Sequence, residues 1–320
     1  MLKKLISMTR AQRAQVVDSI DAKLLSEPWA KKRLAKMKGK QGGFTLLELL
    51  VVVAIIAAIA GTATILLRDT DRQAAAAAHV AMMDELIKGI STYQVLNGGK
   101  FPDNFDSLQE TAGAVALAGT NLSILNDGLS GAFADHTLTT TAEADGTLDL
   151  LNAFGVEKVR VVDTGLDPNG AAAGNCGAEI TTLIANKSSD VTAATIFRSE
   201  DANGCGIERV LAAGDVVKVW DSAAVGNYER VNADVTNAAS QTLVALGVGP
   251  SSDLFQVEKR GAMTGAPVYR HVEPTEYNRF VALLNVDTEA GEVRLQAIID
   301  GAGDTKDEEL GEWDGTRPTI

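Results

Sequence analysis

Histidine and cysteine are scarce in this chain, three and two among 320 residues. His79, His136 and His271 lie far apart and show no ligand spacing, which argues against a metal site of the zinc type. Also missing are a Gly-x-Ser-x-Gly elbow, a His-Glu-x-x-His pair and a phosphate-binding loop. The chain is therefore read as not an enzyme and as needing no organic cofactor. Its many carboxylates make chance pairing inevitable, so a glycosidase-type pair carries no weight. No internal repeat is visible, and residues 111–147 have few large apolar side chains, which reads as loops and a short helix.

Charge is nearly absent from one segment. Phe44 to Leu67 is 24 residues without Lys, Arg, Asp or Pro, enough at ~1.5 Å per residue to cross a hydrocarbon core of about 30 Å. A transmembrane helix is predicted there. Residues 1–43 hold eleven Lys/Arg and three Asp/Glu, a bias that places the N-terminal side in the cytoplasm and everything after Arg68 across the membrane. A secretory signal peptide fits less well: its apolar region runs about 7–15 residues and ends in small residues, whereas this run ends in Arg68-Asp69-Thr70. Glu48 is the one charged residue inside the run. An ionisable group at bilayer depth costs roughly 2.5 to 3.5 kcal/mol on insertion scales and usually faces a partner, so Glu48 is a functional candidate. The bland alternative is a plain single-pass anchor with an accidental Glu.

Gly42-Gly43-Phe44-Thr45-Leu46-Leu47-Glu48 weakens that alternative. The segment resembles the N-terminus of type IV prepilins and of the pseudopilins of type II secretion, closely over Lys38 to Leu67 and more weakly to about Leu108. The resemblance implies cleavage between Gly43 and Phe44 by a prepilin peptidase and N-methylation of Phe44. It also makes Glu48 the fifth residue of the mature chain, compensating the N-terminal amine of a neighbouring subunit. A buried ion pair of that kind fixes register more than it adds stability. Function by resemblance is that of a structural subunit, polymerised through its N-terminal helix into a type IV pilus or a type II secretion pseudopilus. The implied partners are other pilin or pseudopilin subunits, the peptidase, an inner-membrane assembly platform and, before assembly, membrane lipid. The implied location is the inner membrane, with the head periplasmic or extracellular. A second reading is a filament-tip adhesin or cargo-recognition subunit.

The leader, residues 1–43, is long for that family. Met37-Lys38-Gly39-Lys40-Gln41-Gly42-Gly43 offers an ordinary short leader from a second start, whereas Thr9-Arg10-Ala11-Gln12 opens a helical pattern carried by Val16, Val17, Ile20, Leu24 and Leu25. Once residues 1–43 are removed, 18 of the 29 Lys/Arg and 39 of the 42 Asp/Glu remain, a net of −21. No direct nucleic-acid binding is expected of so acidic a part.

Beyond the span, Val80, Met83, Ile87 and Ile90 recur at helical spacing, so residues 68–97 read as an amphipathic continuation of the helix, stopped by Asn97-Gly98-Gly99. Tyr93…Asn97-Gly98…Phe101-Pro102…Leu108 resembles the pattern after the first helix of the G-type pseudopilins. Residues 98–320 then form the exported head, and its size favours a minor or specialised subunit over a major one. Strands are predicted at Val156–Val162, Ile180–Ala185, Ala194–Arg198, Ile207–Leu211, Val216–Trp220, Leu243–Val248, Leu254–Glu258, Val268–Val272, Phe280–Val286 and Val293–Ile299. Tight spacing without long intervening helices favours an antiparallel sheet. The expected fold class is α+β: a long N-terminal helix, transmembrane over 44–67 and amphipathic over 68–97, packed on a β-sheet-rich head.

Cys176 and Cys205 sit in Gly/Asn-rich turns beyond the membrane. Export makes a disulfide their expected state, and closing a loop of about 30 residues contributes roughly 3 to 4 kcal/mol. The acidic stretch Asp300 to Glu309 invites a calcium reading, with Asp300, Asp304 and Asp307 as oxygen ligands. It does not match the EF-hand pattern, and a solvated acidic turn is the alternative.

Overall fold

Helix α1 runs from Leu46 to Leu96. In this computed structural model the described residues are 46–109, 125–142, 144–162, 205–224, 226–234, 237–273, 276–314 and 316, with Pro28, Trp29, Lys31, Lys32 and Ala35 near the N-terminus. They fall into two units, Met1–Asp69 and Thr70–Ile320. The stop after Leu96 is as expected: Gly98 and Gly99 adopt φ of 70° and 90°, and the Gly99 N–H returns to the Gln94 carbonyl at 2.7 Å.

In the second unit α1 buries one stripe, Ala76, His79, Met83, Leu86, Ile90 and Tyr93, at alternating spacings of three and four. The face differs slightly from the predicted one. Val80 and Ile87 are only half-buried flanks, while Leu86 and the polar His79 sit in the centre.

The stripe packs on an eight-stranded sheet. Its strands are β1 (Phe105–Asp106), β2 (Phe133–Thr137), β3 (Lys158–Val162), β4 (Gly206–Val210), β5 (Val216–Trp220), β6 (Gln241–Gly247), β7 (Val281–Asp287) and β8 (Glu292–Ile299). Between them lie the short helices α2 (Asp127–Gly131), α3 (Thr147–Ala153) and α4 (Asn227–Arg230), and α5 (Lys306–Asp314) follows β8. On one edge β6 pairs with β7 along its whole length, and its other edge is shared by β5 at Val244 and β1 at Gly247. β2 and β5, β3 and β4, and β7 and β8 form further antiparallel pairs. The parallel pair β1–β3 departs from the antiparallel expectation, because the chain between them crosses over through α3 and returns in the same direction.

Every residue of β7 is buried. Its two faces enter different clusters: Ala282, Leu284 and Val286 join the cluster under α1, whereas Val281 and Leu283 join Leu129, Phe133, Trp220 and Tyr228 on the other side. A sheet covered on both faces reads as a continuous apolar run, which is why Phe280–Val286 shows no alternation.

The α+β layout expected from the sequence is present, with two predicted strands corrected. Leu254–Glu258 is two 3-10 turns, Asp253–Phe255 and Val257–Lys259: the Phe255 N–H returns to the Ser252 carbonyl and the Lys259 N–H to the Gln256 carbonyl, local bonds that take the place of a ladder. Val268–Val272 has no regular structure; the Tyr269 N–H goes to the Asn278 carbonyl at 2.9 Å outside any strand pair. Ile180–Ala185 and Ala194–Arg198 lie outside the described residues. The acidic stretch read as a loop becomes helix from Lys306. Thr305 and Glu308 form a capping box, with the Thr305 N–H and hydroxyl both donating to Glu308 Oε2, and three carboxylates occupy the first turn, where the helix dipole favours them.

Candidate functional site

Every side chain from Leu46 to Ala63 is exposed, and this stretch of 18 residues has a mean hydropathy of 2.5. Single exposed apolar residues are ordinary; an unbroken exposed run is not. Within it the Thr62 hydroxyl donates to the carbonyls of Ala58 and Ile59. What the segment presents is hydrocarbon, suited to lipid or to other helices. Glu48 lies in the first turn of α1 and is exposed, at the helix end where a carboxylate complements the dipole. Gly43 and Phe44 lie outside the described residues.

The segment is thus a helix long and apolar enough to cross a membrane, with one carboxylate near its start. Residues 38–64 match the prokaryotic N-terminal methylation motif. This is the type IV prepilin-like signal, which implies processing by prepilin peptidase and pilin-like polymerisation. The match covers the signal and its helix and leaves the head untouched. Neither the curated proteins nor the solved structures give a match.

In the head, α5 is tied to α1. His79 Nδ1 lies 3.3 Å from Glu309 Oε1, both side chains being buried, and Lys306 Nζ lies 2.6 Å from Asp84 Oδ1 at a half-exposed position. The His79 ring also packs against Tyr269 and His271, each with centroids 4.5 Å apart. The structure thus brings together two histidines that the sequence separates widely. The Thr305-x-x-Glu308 capping box was the readable signal for α5; nothing in the sequence announced its contact with His79.

Asp300, Asp304 and Asp307 do not converge. Asp300 is fully buried, and its Oδ1 accepts the N–H groups of Ala302 and Asp304, both at 2.9 Å. Burial, and then a hydrogen bond with Glu309, push its carboxyl well above the usual range, and its Oδ1 closes its own loop. Asp307 is exposed on α5. Among the described residues no group of three or more His, Cys, Asp or Glu is arranged to hold a metal ion.

Asp106 is a second buried acid. Tyr277 donates its hydroxyl to Asp106 Oδ2 at 2.9 Å. Two glycines make room for the pair: a Cβ at Gly249 would overlap the Asp106 carboxylate, and one at Gly247 would overlap the Tyr277 hydroxyl. Burial pushes the Asp106 carboxyl up to about 7, against the opposing pull of Tyr277, Arg279 and Arg160. No sequence pattern marks this group, since a lone Asp after Phe105 looks like any solvated turn.

Cys205 is buried immediately before β4. Cys176 lies outside the described residues, and so does the expected pairing.

Proposed function

We propose that the protein is a filament subunit of the type IV pilus or type II secretion class, cleaved between Gly43 and Phe44, N-methylated on Phe44 and polymerised through α1. The carrying observation is the match to the methylation motif over the exposed apolar stretch Leu46–Ala63 of α1. Mechanism is structural: α1 segments form the filament interior and the heads its surface. The large head favours a minor or specialised subunit. With no catalytic constellation recognised in its sequence, the head acts by contact.

Mass spectrometry of the protein expressed with and without a prepilin peptidase tests the processing. The expected product begins at Phe44 and carries one added methyl group, and Gly43→Val remains full length. Non-reducing peptide mapping of the same product is expected to recover Cys176 and Cys205 in one linked peptide. A product retaining residues 1–43 beside an active peptidase would overturn the reading.

Glu48 is assigned to register, compensating the Phe44 amine of an adjacent subunit. Glu48→Val is expected to be processed normally yet to be lost from the sheared filament fraction. Wild-type incorporation would remove this role. The amount of wild-type protein in that fraction separates a minor from a major subunit, and deletion that spares filaments but abolishes adhesion or export of one cargo would favour the tip-binding reading.

A further inference from the structure

Met82, Met83 and Met263 are the methionines that lie beyond the exposed apolar stretch of α1. All three meet at the apolar cluster under that helix: Met83 is fully buried within it, and Met82 and Met263 pack against it half-buried. Met263 belongs to residues 261–273, which form neither helix nor strand and follow the two 3-10 turns.

Its seat on α1 is Gly89. Glycine is disfavoured in a helix interior, yet Gly89 is buried in the middle of this one, and a Cβ there would overlap Met263 Sδ and lie 2.7 Å from its Cγ. The space left by the missing side chain is filled by the thioether. Leu254 Cδ1 stands 3.8 Å from the same point, so the surroundings are apolar. Hydrogen bonds do less to hold the segment on the helix. The N–H groups of Gly261 and Met263 donate to the carbonyls of Gln256 and Leu254, within the same stretch of chain, and Arg260 Nη1 reaches the Leu96 carbonyl at 3.5 Å, the long limit of a hydrogen bond.

A thioether fills irregular apolar gaps well, and it is also the one aliphatic group that oxidation turns polar. We propose that Met263 is a site of reversible oxidation by hydrogen peroxide and that its sulfoxide releases residues 256–266 from α1. One peroxide oxygen bonds to Sδ as the O–O bond breaks. Its proton passes to the other oxygen, which leaves as water, and the sulfur gives up the two electrons that the peroxide gains. The new oxygen is a strong acceptor set against a helix whose N–H groups are already used along its own axis. Left there it lacks a donor, and turning it to water lifts the side chain off Gly89. Full burial shields Met83 from the same reaction. This site does not rest on the filament reading.

The test treats the full protein in detergent with excess hydrogen peroxide and follows it by peptide mapping and hydrogen exchange, both read by mass spectrometry. Met263 is expected to oxidise at least about tenfold faster than Met83. Amides of residues 256–266 then exchange about tenfold or more faster than before treatment, while β6 and β7 keep their rates. Methionine sulfoxide reductases for both epimers restore slow exchange. Met263→Leu keeps an apolar side chain of similar volume and is expected to exchange slowly with and without peroxide, which separates Met263 from Met82. Gly89→Ala closes the seat, turns the thioether outward and speeds Met263 oxidation about threefold or more, with Met83 unchanged. Met263 oxidised no faster than Met83, unchanged exchange over 256–266 once Met263 is oxidised, faster exchange that the reductases do not reverse, an equal peroxide response in Met263→Leu, or wild-type oxidation kinetics in Gly89→Ala would each overturn the proposal.

Discussion

Asp106→Asn is expected to abolish a loss of stability that the wild-type head shows as pH rises from about 4 to about 7. The folded-state carboxyl titrates at about 7, against an ordinary value of 3.8, so the difference of about three units is worth about 4 kcal/mol at ~1.36 kcal/mol per unit. The sign follows from proton binding. Below the unfolded value both states hold the proton and the contribution is fully present. Between the two values only the folded state holds it, so each rise in pH favours unfolding until the folded group also ionises. An amide in the same place accepts the Tyr277 hydroxyl without ever ionising. Urea midpoints of wild type and variant from pH 4 to 8 measure the effect, and the difference between the two curves isolates Asp106 from other groups. Parallel curves across that window would show that Asp106 is ionised in the folded head, held by Arg160 and Arg279.

Arg230→Ala is expected to destabilise the head by about 3 kcal/mol, chiefly through the partner it leaves behind. Arg230 stands at the end of α4, and its Nε and Nη2 donate to the two oxygens of Glu308 at 2.9 and 2.8 Å. Nη2 also donates to the Gly303 carbonyl at 2.8 Å, and the guanidinium lies 5.1 Å from the Trp220 ring centroid. Three elements, α4, β5 and α5, meet on one planar cation. Its removal leaves a mostly buried Glu308 carboxylate without its main partner, and that, rather than the lost attraction, is the larger penalty. Arg230→Lys keeps the charge but not the fork and is expected to recover less than half.

The same pair has the opposite pH sense to Asp106. Burial alone would raise the Glu308 carboxyl, but Arg230 and the Thr305 N–H outweigh it and hold it down to about 2. A depressed acid contributes stability above its unfolded value of 4.5 and loses it as pH falls toward 2. Arg230→Ala should therefore flatten the acid limb between about pH 4.5 and 2 and leave the limb due to Asp106 intact. Urea midpoints through that range read it directly, and an unchanged acid limb would mean that Glu308 is held by Thr305 alone.

Local signals were legible where one residue or a short run decides the outcome. The exposed apolar helix, its stop at Asn97-Gly98-Gly99 and the strands β5 to β8, apart from a residue or two at their ends, were readable because helix caps, uncharged runs and strand periodicity act within a few residues. Leu254–Glu258 and Val268–Val272 misled because apolar content alone does not say whether the backbone groups find a ladder. In one case 3-10 turns satisfied them, and in the other the Tyr269 N–H went to the Asn278 carbonyl outside any strand pair. The capping box at Thr305 was readable and outweighed the acidic composition that suggested a loop.

By itself the sequence determined that this protein carries a prepilin-like signal on a helix long and apolar enough to cross a membrane, because the signal, hydropathy and helix formation depend on contiguous residues. Only the tertiary structure decided which carboxylates are buried, that Asp300 accepts the N–H groups of its own loop, and that His79 meets Glu309. Those outcomes depend on burial and on partners far along the chain, and a carboxyl's charge is set by what the fold removes from water around it.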